Sequence, residues 1–285
     1  MHRWLIRTGF VLLGGILVFA AAAAQSLSGL FVPQRTLDQQ IDLIAPGVTV
    51  FLPERTQTPV PAAIFFHGCG GRRPMHFDHA EALQDAGFAV LVVDSFEPRG
   101  IGRLEAMTQV CTATRLTGQE RAADVFAAIE IAWQTGGVDP DRLVLFGWSH
   151  GGWSLLDALS YVSDGIAPPA LVAQSLSLDG VANVVPIYPY CGFPARAAGR
   201  MGSGLPPVDM ILAGRDMVAP YGDCVRLAEQ AVANRADFNF SVWNGLTHAF
   251  DDTDAPAIDF RMQYDAAAAE RLRLRMIEIL QATQD

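Results

Sequence analysis

The stretch FGWSHGGWS, residues 146–154, sets Ser149 between Gly147 and Gly151, directly behind the hydrophobic run RLVLFG. A serine on a sharp turn from strand to helix projects its hydroxyl outward in a strained backbone conformation. Glycines two residues to either side let the strand and helix backbones pass without side-chain collision. G-x-S-x-G is short, and an incidental glycine-containing turn is the competing reading. What decides between them is whether the chain also supplies a base, an acid and a pair of oxyanion donors.

A serine hydroxyl is a poor nucleophile until a base accepts its proton. Of the six histidines, His2 lies in the N-terminal segment, His67 ends a predicted strand, and His76 and His79 start a predicted helix. His150 adjoins the serine, where the turn aims its ring elsewhere. His248, in the loop WNGLTHAFDD after the last predicted strand, remains as the base. The acid must hold that imidazole and stabilise its cation. Asp216, in MILAGRDMVAP, follows a buried strand and falls between Ser149 and His248; Asp179, Asp223, Asp251 and Asp252 are its rivals. The order Ser, Asp, His is that of an α/β-hydrolase and not of chymotrypsin-like or subtilisin-like proteases.

Acyl transfer develops an oxyanion that needs two preorganised donors. One is the backbone N–H of His150, the residue after the serine. The other comes from HGCGG, residues 67–71, with Cys69 as first choice and Gly70 as alternative. HFDH, residues 76–79, has metal-ligand residue types, but its place at a helix start reads as capping and surface polarity, so no metal site is expected. Arg72, Arg73 and Arg99 read as solvated surface arginines, with a substrate carboxylate as their second use. Phe96, Trp153, Tyr188, Phe193 and Phe250 could line an apolar cleft, although core packing is the expectation for each.

The elements that must position these residues are legible as an alternation. Nearly continuous hydrophobic runs of strand length occur at residues 62–68, 88–94, 142–147, 184–189, 207–214 and 238–244. Such runs fit strands covered on both faces. Helical patterns intervene after residue 76, over 117–137, from about 150 to 161, at 219–234 and at 263–282. The alternation predicts a doubly wound, mostly parallel α/β sheet with helices on both faces and its site at the carboxyl ends of the strands.

Composition narrows the chemistry further. With 285 residues, 51% of them hydrophobic, the chain can bury one substantial core. A formal charge of -10 and the lack of any basic run argue against nucleic acid or an anionic membrane surface as partner. All 20 cationic side chains are arginine, which excludes Schiff-base chemistry, Ser-Lys dyads and a P-loop lysine. Residues 1–24 place Arg3 and Arg7 ahead of an uncharged apolar run that ends in alanines. This reads as a signal peptide cleaved near Ala22 to Ala24, with an uncleaved membrane anchor as alternative. Residues 25–285 would then form a single exported catalytic domain, periplasmic or secreted. Export favours pairing of the four cysteines. Of the three connectivities, Cys69 with Cys111 and Cys191 with Cys224 are preferred, because each pair joins neighbouring loops of the layout.

With these residues placed, the chain resembles the dienelactone hydrolase family of α/β-hydrolases. The resemblance is carried by FFHGCGG, VVDSFEPRG, GWSHGG, YPYCG, LAGRDMVAP and THAFD, in that order. It implies a cofactor-free hydrolase of esters or lactones, acting on a small molecule. The family's nucleophile maps to Ser149, its acid to Asp216 and its base to His248. The family's founding pattern has a cysteine as nucleophile; serine there shifts the expected substrate to a broader set of carboxylic esters. Glu97 is the one residue offered for the glutamate that accompanies that cysteine. The rivals are a prolyl oligopeptidase-like peptidase, disfavoured because the sequence contains no propeller, and a non-catalytic binding protein on the same fold.

Overall fold

The computed structural model describes residue 14 and residues 32–54, 58–255 and 258–284. Apart from residue 14, the expected signal segment lies outside the described residues. Among the described residues seven strands form one sheet in the order β1-β3-β2-β4-β5-β6-β7. They are β1 (Val48–Phe51), β2 (Val60–Phe66), β3 (Ala89–Val93), β4 (Val138–Trp148), β5 (Val181–Ile187), β6 (Val208–Ala213) and β7 (Phe238–Trp243). β1 pairs antiparallel with β3, and every other pairing is parallel. The expected mostly parallel sheet is therefore present, with an antiparallel edge strand added.

Six helices of eight or more residues cover the sheet among the described residues: α1 (Leu37–Ile44), α2 (Pro74–Asp85), α3 (Gly118–Gln134), α4 (His150–Asp164), α5 (Gly222–Ala233) and α6 (Ala266–Ala282). Because side chains alternate along a strand, β2 sends Ala62, Ile64 and Phe66 into the core beneath α3, α4 and α5. Its Ala63 and Phe65 enter the opposite core, where Met75 and Leu83 of α2 meet Leu272 and Met276 of α6. A strand apolar on both faces is what such a position requires. Local signals start the helices: Thr117 accepts the N–H of Glu120 at the head of α3, and Asp265 accepts that of Ala268 at the head of α6.

Both expected disulfides are formed. Cys69–Cys111 ties the loop after β2 to the helical segment 103–110, and Cys191–Cys224 ties the loop after β5 to α5. No helix among the described residues is long and apolar enough to cross a membrane.

Candidate active site

β4 runs straight into α4, and Ser149 is the hinge between them, with φ 50° and ψ -110°. Its N–H bonds the Ile187 carbonyl at 2.9 Å, and its own carbonyl accepts the N–H of Trp153 at 2.9 Å, so both flanks of the turn are fixed. A positive φ on a β-substituted residue costs about 1–3 kcal/mol and persists only where surroundings impose it. Here the glycines supply the room. A Cβ on Gly147 would fall 2.7 Å from the Gly151 backbone, and one on Gly68 would meet the Ser149 Cβ at 3.4 Å. The loop after β2 is thus packed against the elbow.

The three residues expected to act together converge. Ser149 Oγ lies 2.9 Å from His248 Nε2, and His248 Nδ1 lies 2.6 Å from Asp216 Oδ2. These distances fit a hydroxyl donating to Nε2 and an Nδ1–H donating to the carboxylate. Asp216 follows β6 and His248 follows β7, so strands set the spacing while loops supply the side chains. The second oxygen of Asp216 accepts the N–H groups of Val218 at 2.8 Å and Ala219 at 2.7 Å, which fixes the carboxylate plane.

The rival acids are engaged elsewhere. Asp251 is buried and accepts from Trp148 Nε1 at 2.8 Å and Tyr188 Oη at 2.6 Å, with His79 Nε2 at 3.2 Å. Although burial opposes ionisation, bonds from His79, Tyr188 and Trp148 hold its carboxyl below the usual range. The Tyr188 ring lies 4.8 Å from that of His248, so this network backs the histidine loop. Asp252 pairs with Arg73 at 3.0 Å, Asp223 pairs with Arg226, and Asp179 sits in the turn before β5. None of this network was visible in the sequence, although the DD pair after THAF is its trace.

His150 is the first residue of α4, and a first helical N–H has no carbonyl within its own helix to bond. Cys69, Ser149 and His150 all border one cavity of about 240 Å³. Its walls include Val110, Trp153, Tyr190, Phe193, Pro194 and Val218. Phe193 is 68% exposed and stands at the mouth, contrary to the expectation of core packing; Phe96, Tyr188 and Phe250 are buried as expected. Among the described residues no ionised side chain lines this cavity, because burial and the nearby Arg121 charge hold His150 neutral.

Two surface readings are corrected. His76 and His79 are buried beneath α2, not exposed at its start. His76 does cap the helix, accepting the Arg73 N–H at 3.0 Å, and burial pulls its imidazole down to about 3. Arg72, Arg73 and Arg99 are not free solvated arginines. Arg72 bonds Asp94 at 2.7 Å and Glu97 at 2.8 Å, Arg73 bonds Asp252, and Arg99 grips Asp124 at 2.7 Å. Glu97 therefore faces Arg72 and not Ser149.

A mostly parallel sheet whose fourth strand breaks at a serine hinge, with Asp216 and His248 on the loops after β6 and β7, has the architecture of an α/β-hydrolase. Comparison with known proteins narrows the class. A model described as the dienelactone hydrolase family matches residues 48–284. The chain belongs to the dienelactone hydrolase family. It is 30% identical over 160 residues to the quorum-quenching protein AidA of Acinetobacter baumannii, a match covering 55% of this chain. The chain spans about half the length of that relative, 49%. Among solved structures, a putative dienelactone hydrolase from Klebsiella pneumoniae superposes with a TM-score of 0.62 at 16% identity, covering 82% of this chain and 92% of the other. Esterase 2 of Thermogutta terrifontis superposes with a TM-score of 0.58 at 16% identity, covering 81% and 85%. At these identities the structures share the fold.

Proposed function

We propose that the chain hydrolyses uncharged carboxylic esters or lactones by acyl transfer through Ser149. The observation that carries this reading is the unbroken line from the Ser149 hydroxyl through His248 to Asp216, at 2.9 and 2.6 Å. In the forward step the hydroxyl proton passes to His248 Nε2 as Oγ bonds to the carbonyl carbon, and Asp216 stabilises the resulting imidazolium. The carbonyl oxygen, now negative, takes the backbone N–H groups of Cys69 and His150. Collapse expels the alcohol, which receives the proton from His248. Water, deprotonated by the same histidine, then releases the acid. Every step uses residues 67–71, 149–150, 216 and 248, with no cofactor in the scheme.

The cavity supports an uncharged apolar moiety as the group bound beside Ser149. A cavity of roughly 150 Å³ holds a benzene ring, so 240 Å³ suits a single ring on a short linker or a chain of equal bulk. A free carboxylate would be buried there without a cation to meet it, a penalty of several kcal/mol. The two disulfides support an exported, oxidising setting for residues 25–285 as one catalytic domain.

The test is twofold. Wild type should bind one equivalent of a fluorophosphonate and hydrolyse p-nitrophenyl butanoate and phenylpropanoate, and the Ser149→Ala variant should do neither. Undiminished labelling of Ser149→Ala would overturn the assignment of the nucleophile. A preference for hemisuccinate over butanoate esters would overturn the uncharged substrate.

A further inference from the structure

One buried charge is unaccounted for by the scheme above. Arg121, on α3, is 0% exposed. Its Nε donates to Ser95 Oγ at 2.8 Å, and one Nη donates to the His67 carbonyl at 2.7 Å. The same nitrogen lies 3.2 Å from His150 Nδ1, while the other Nη has no hydrogen-bond partner among the described residues. No carboxylate forms an ion pair with it among those residues. Asp124, one turn along, is held by Arg99 and Gln40, and Asp94 is held by Arg72. Burial lowers the Arg121 guanidinium to about 10, with Asp124 and Asp94 supporting the charge at longer range and Arg99 opposing it, so it stays protonated at neutral pH.

An unpaired buried cation is expensive, and removal of such charges is commonly stabilising. Its position gives it a use. His67 opens the loop that carries the Cys69 N–H, and His150 carries the second N–H. One guanidinium nitrogen therefore grips both halves of the proposed oxyanion site from behind. The two histidines beside it are held low: burial, and next the Arg121 charge itself, keep both His67 and His150 below the usual histidine range. Accepting from Arg121, His150 Nδ1 leaves the ring proton on Nε2. With no carboxylate in direct contact with it, Arg121 keeps a net positive field at the oxyanion in a region of low dielectric.

We propose that Arg121 is a positioning residue for the oxyanion site: it fixes the spacing of the Cys69 and His150 N–H groups and lends its positive charge to the tetrahedral intermediate. The proposal rests on Ser149 being the nucleophile. It predicts an effect confined to the transition state, which separates it from a purely structural role.

The experiment compares wild type with Arg121→Met and Arg121→Lys. The readouts are kcat and KM on a p-nitrophenyl ester, and inhibition by a trifluoromethyl ketone, which forms an oxyanion adduct with serine, beside the matching secondary alcohol, which does not. Arg121→Met should lose at least about tenfold in kcat, approaching the 10²–10³ of a lost oxyanion donor, with KM within threefold. The ketone should weaken by a similar factor and the alcohol by less than threefold. Arg121→Lys keeps the charge and should recover part of the loss; it also serves if the methionine variant fails to fold. Either folded variant would overturn the proposal by keeping wild-type kcat, or by losing ketone and alcohol affinity equally. Failure of the wild type to form the ketone adduct, together with wild-type ester turnover by Ser149→Ala, would count against the nucleophile assignment instead.

Discussion

A Cβ placed on Gly151 would sit 2.0 Å from the carbonyl oxygen of Phe66, so the first turn of α4 and the end of β2 are in contact through bare backbone. That closeness lets a loop leaving β2 reach the residue after Ser149. Gly151→Ala should push the two backbones apart. We expect a loss of about 3 kcal/mol or more in unfolding free energy, at the upper end of overpacking effects, together with a fall in esterase activity. Urea denaturation and steady-state kinetics on one preparation check this; an unchanged midpoint would contradict the contact.

Asp216→Asn keeps an oxygen for the Val218 and Ala219 N–H groups but turns an amide toward His248 Nδ1. The imidazole proton is then driven to Nε2, where Ser149 needs an acceptor. The kcat should fall by about 10³–10⁴ with the fold intact, as expected when the base is locked in the wrong tautomer. Circular dichroism and burst kinetics distinguish this from unfolding.

The two disulfides close loops of 42 and 33 residues, so the chain-entropy model assigns each about 4 kcal/mol of stability. Replacing either pair by alanines should lower the melting temperature by a similar amount. Their effects on turnover should differ, because only Cys69 donates from the proposed oxyanion site. The kcat of Cys69→Ala/Cys111→Ala should drop well below that of Cys191→Ala/Cys224→Ala when both are measured below their melting points.

His67, His76 and His150 are held by burial below their ordinary range, His76 at about 3. They stay neutral in the fold while the unfolded chain takes up protons below about pH 6.5. Their contribution is present above that pH and is lost as pH falls toward the folded values, each histidine giving up to about 1.4 kcal/mol per pH unit. Asp157 acts oppositely. Burial, against bonds from the Arg196 and Ala197 N–H groups and the Trp153 indole, raises its carboxyl to about 7. Its contribution is full below pH 4 and fades as pH rises to 7. Three histidines, set against Asp157 and Glu120, whose carboxyl burial also raises, predict that the protein is less stable at pH 5.5 than at 7.5. Urea titrations at the two values check the sign.

The site was legible where its logic is local. Glycines flank Ser149, a hydrophobic run precedes it, and Asp216 and His248 each follow a strand. Arg121 was not legible, because its burial depends on His67 and Ser95, brought over it by other strands. Within α3 it looks like one polar residue beside an apolar face; only the covering of that helix by α1, α4 and the sheet buries it. The same holds for His79, whose partners Asp251 and Trp148 lie far along the chain. β1 has four residues, too few for an alternation to register, and it pairs antiparallel at the edge. The capping box of α1, Thr36 with Gln39, is a local signal that the sequence carries just ahead of the edge strand.

The bond between Cys69 and Cys111 joins a peptide proposed to receive negative charge to the wall that measures the bound group. Variation in that wall cannot be neutral for rate: an insertion that widens the cavity also pulls on the peptide. Laboratory evolution toward bulkier esters should therefore recruit changes first on the side not bonded to the Cys69 peptide, around Phe193 and Val218.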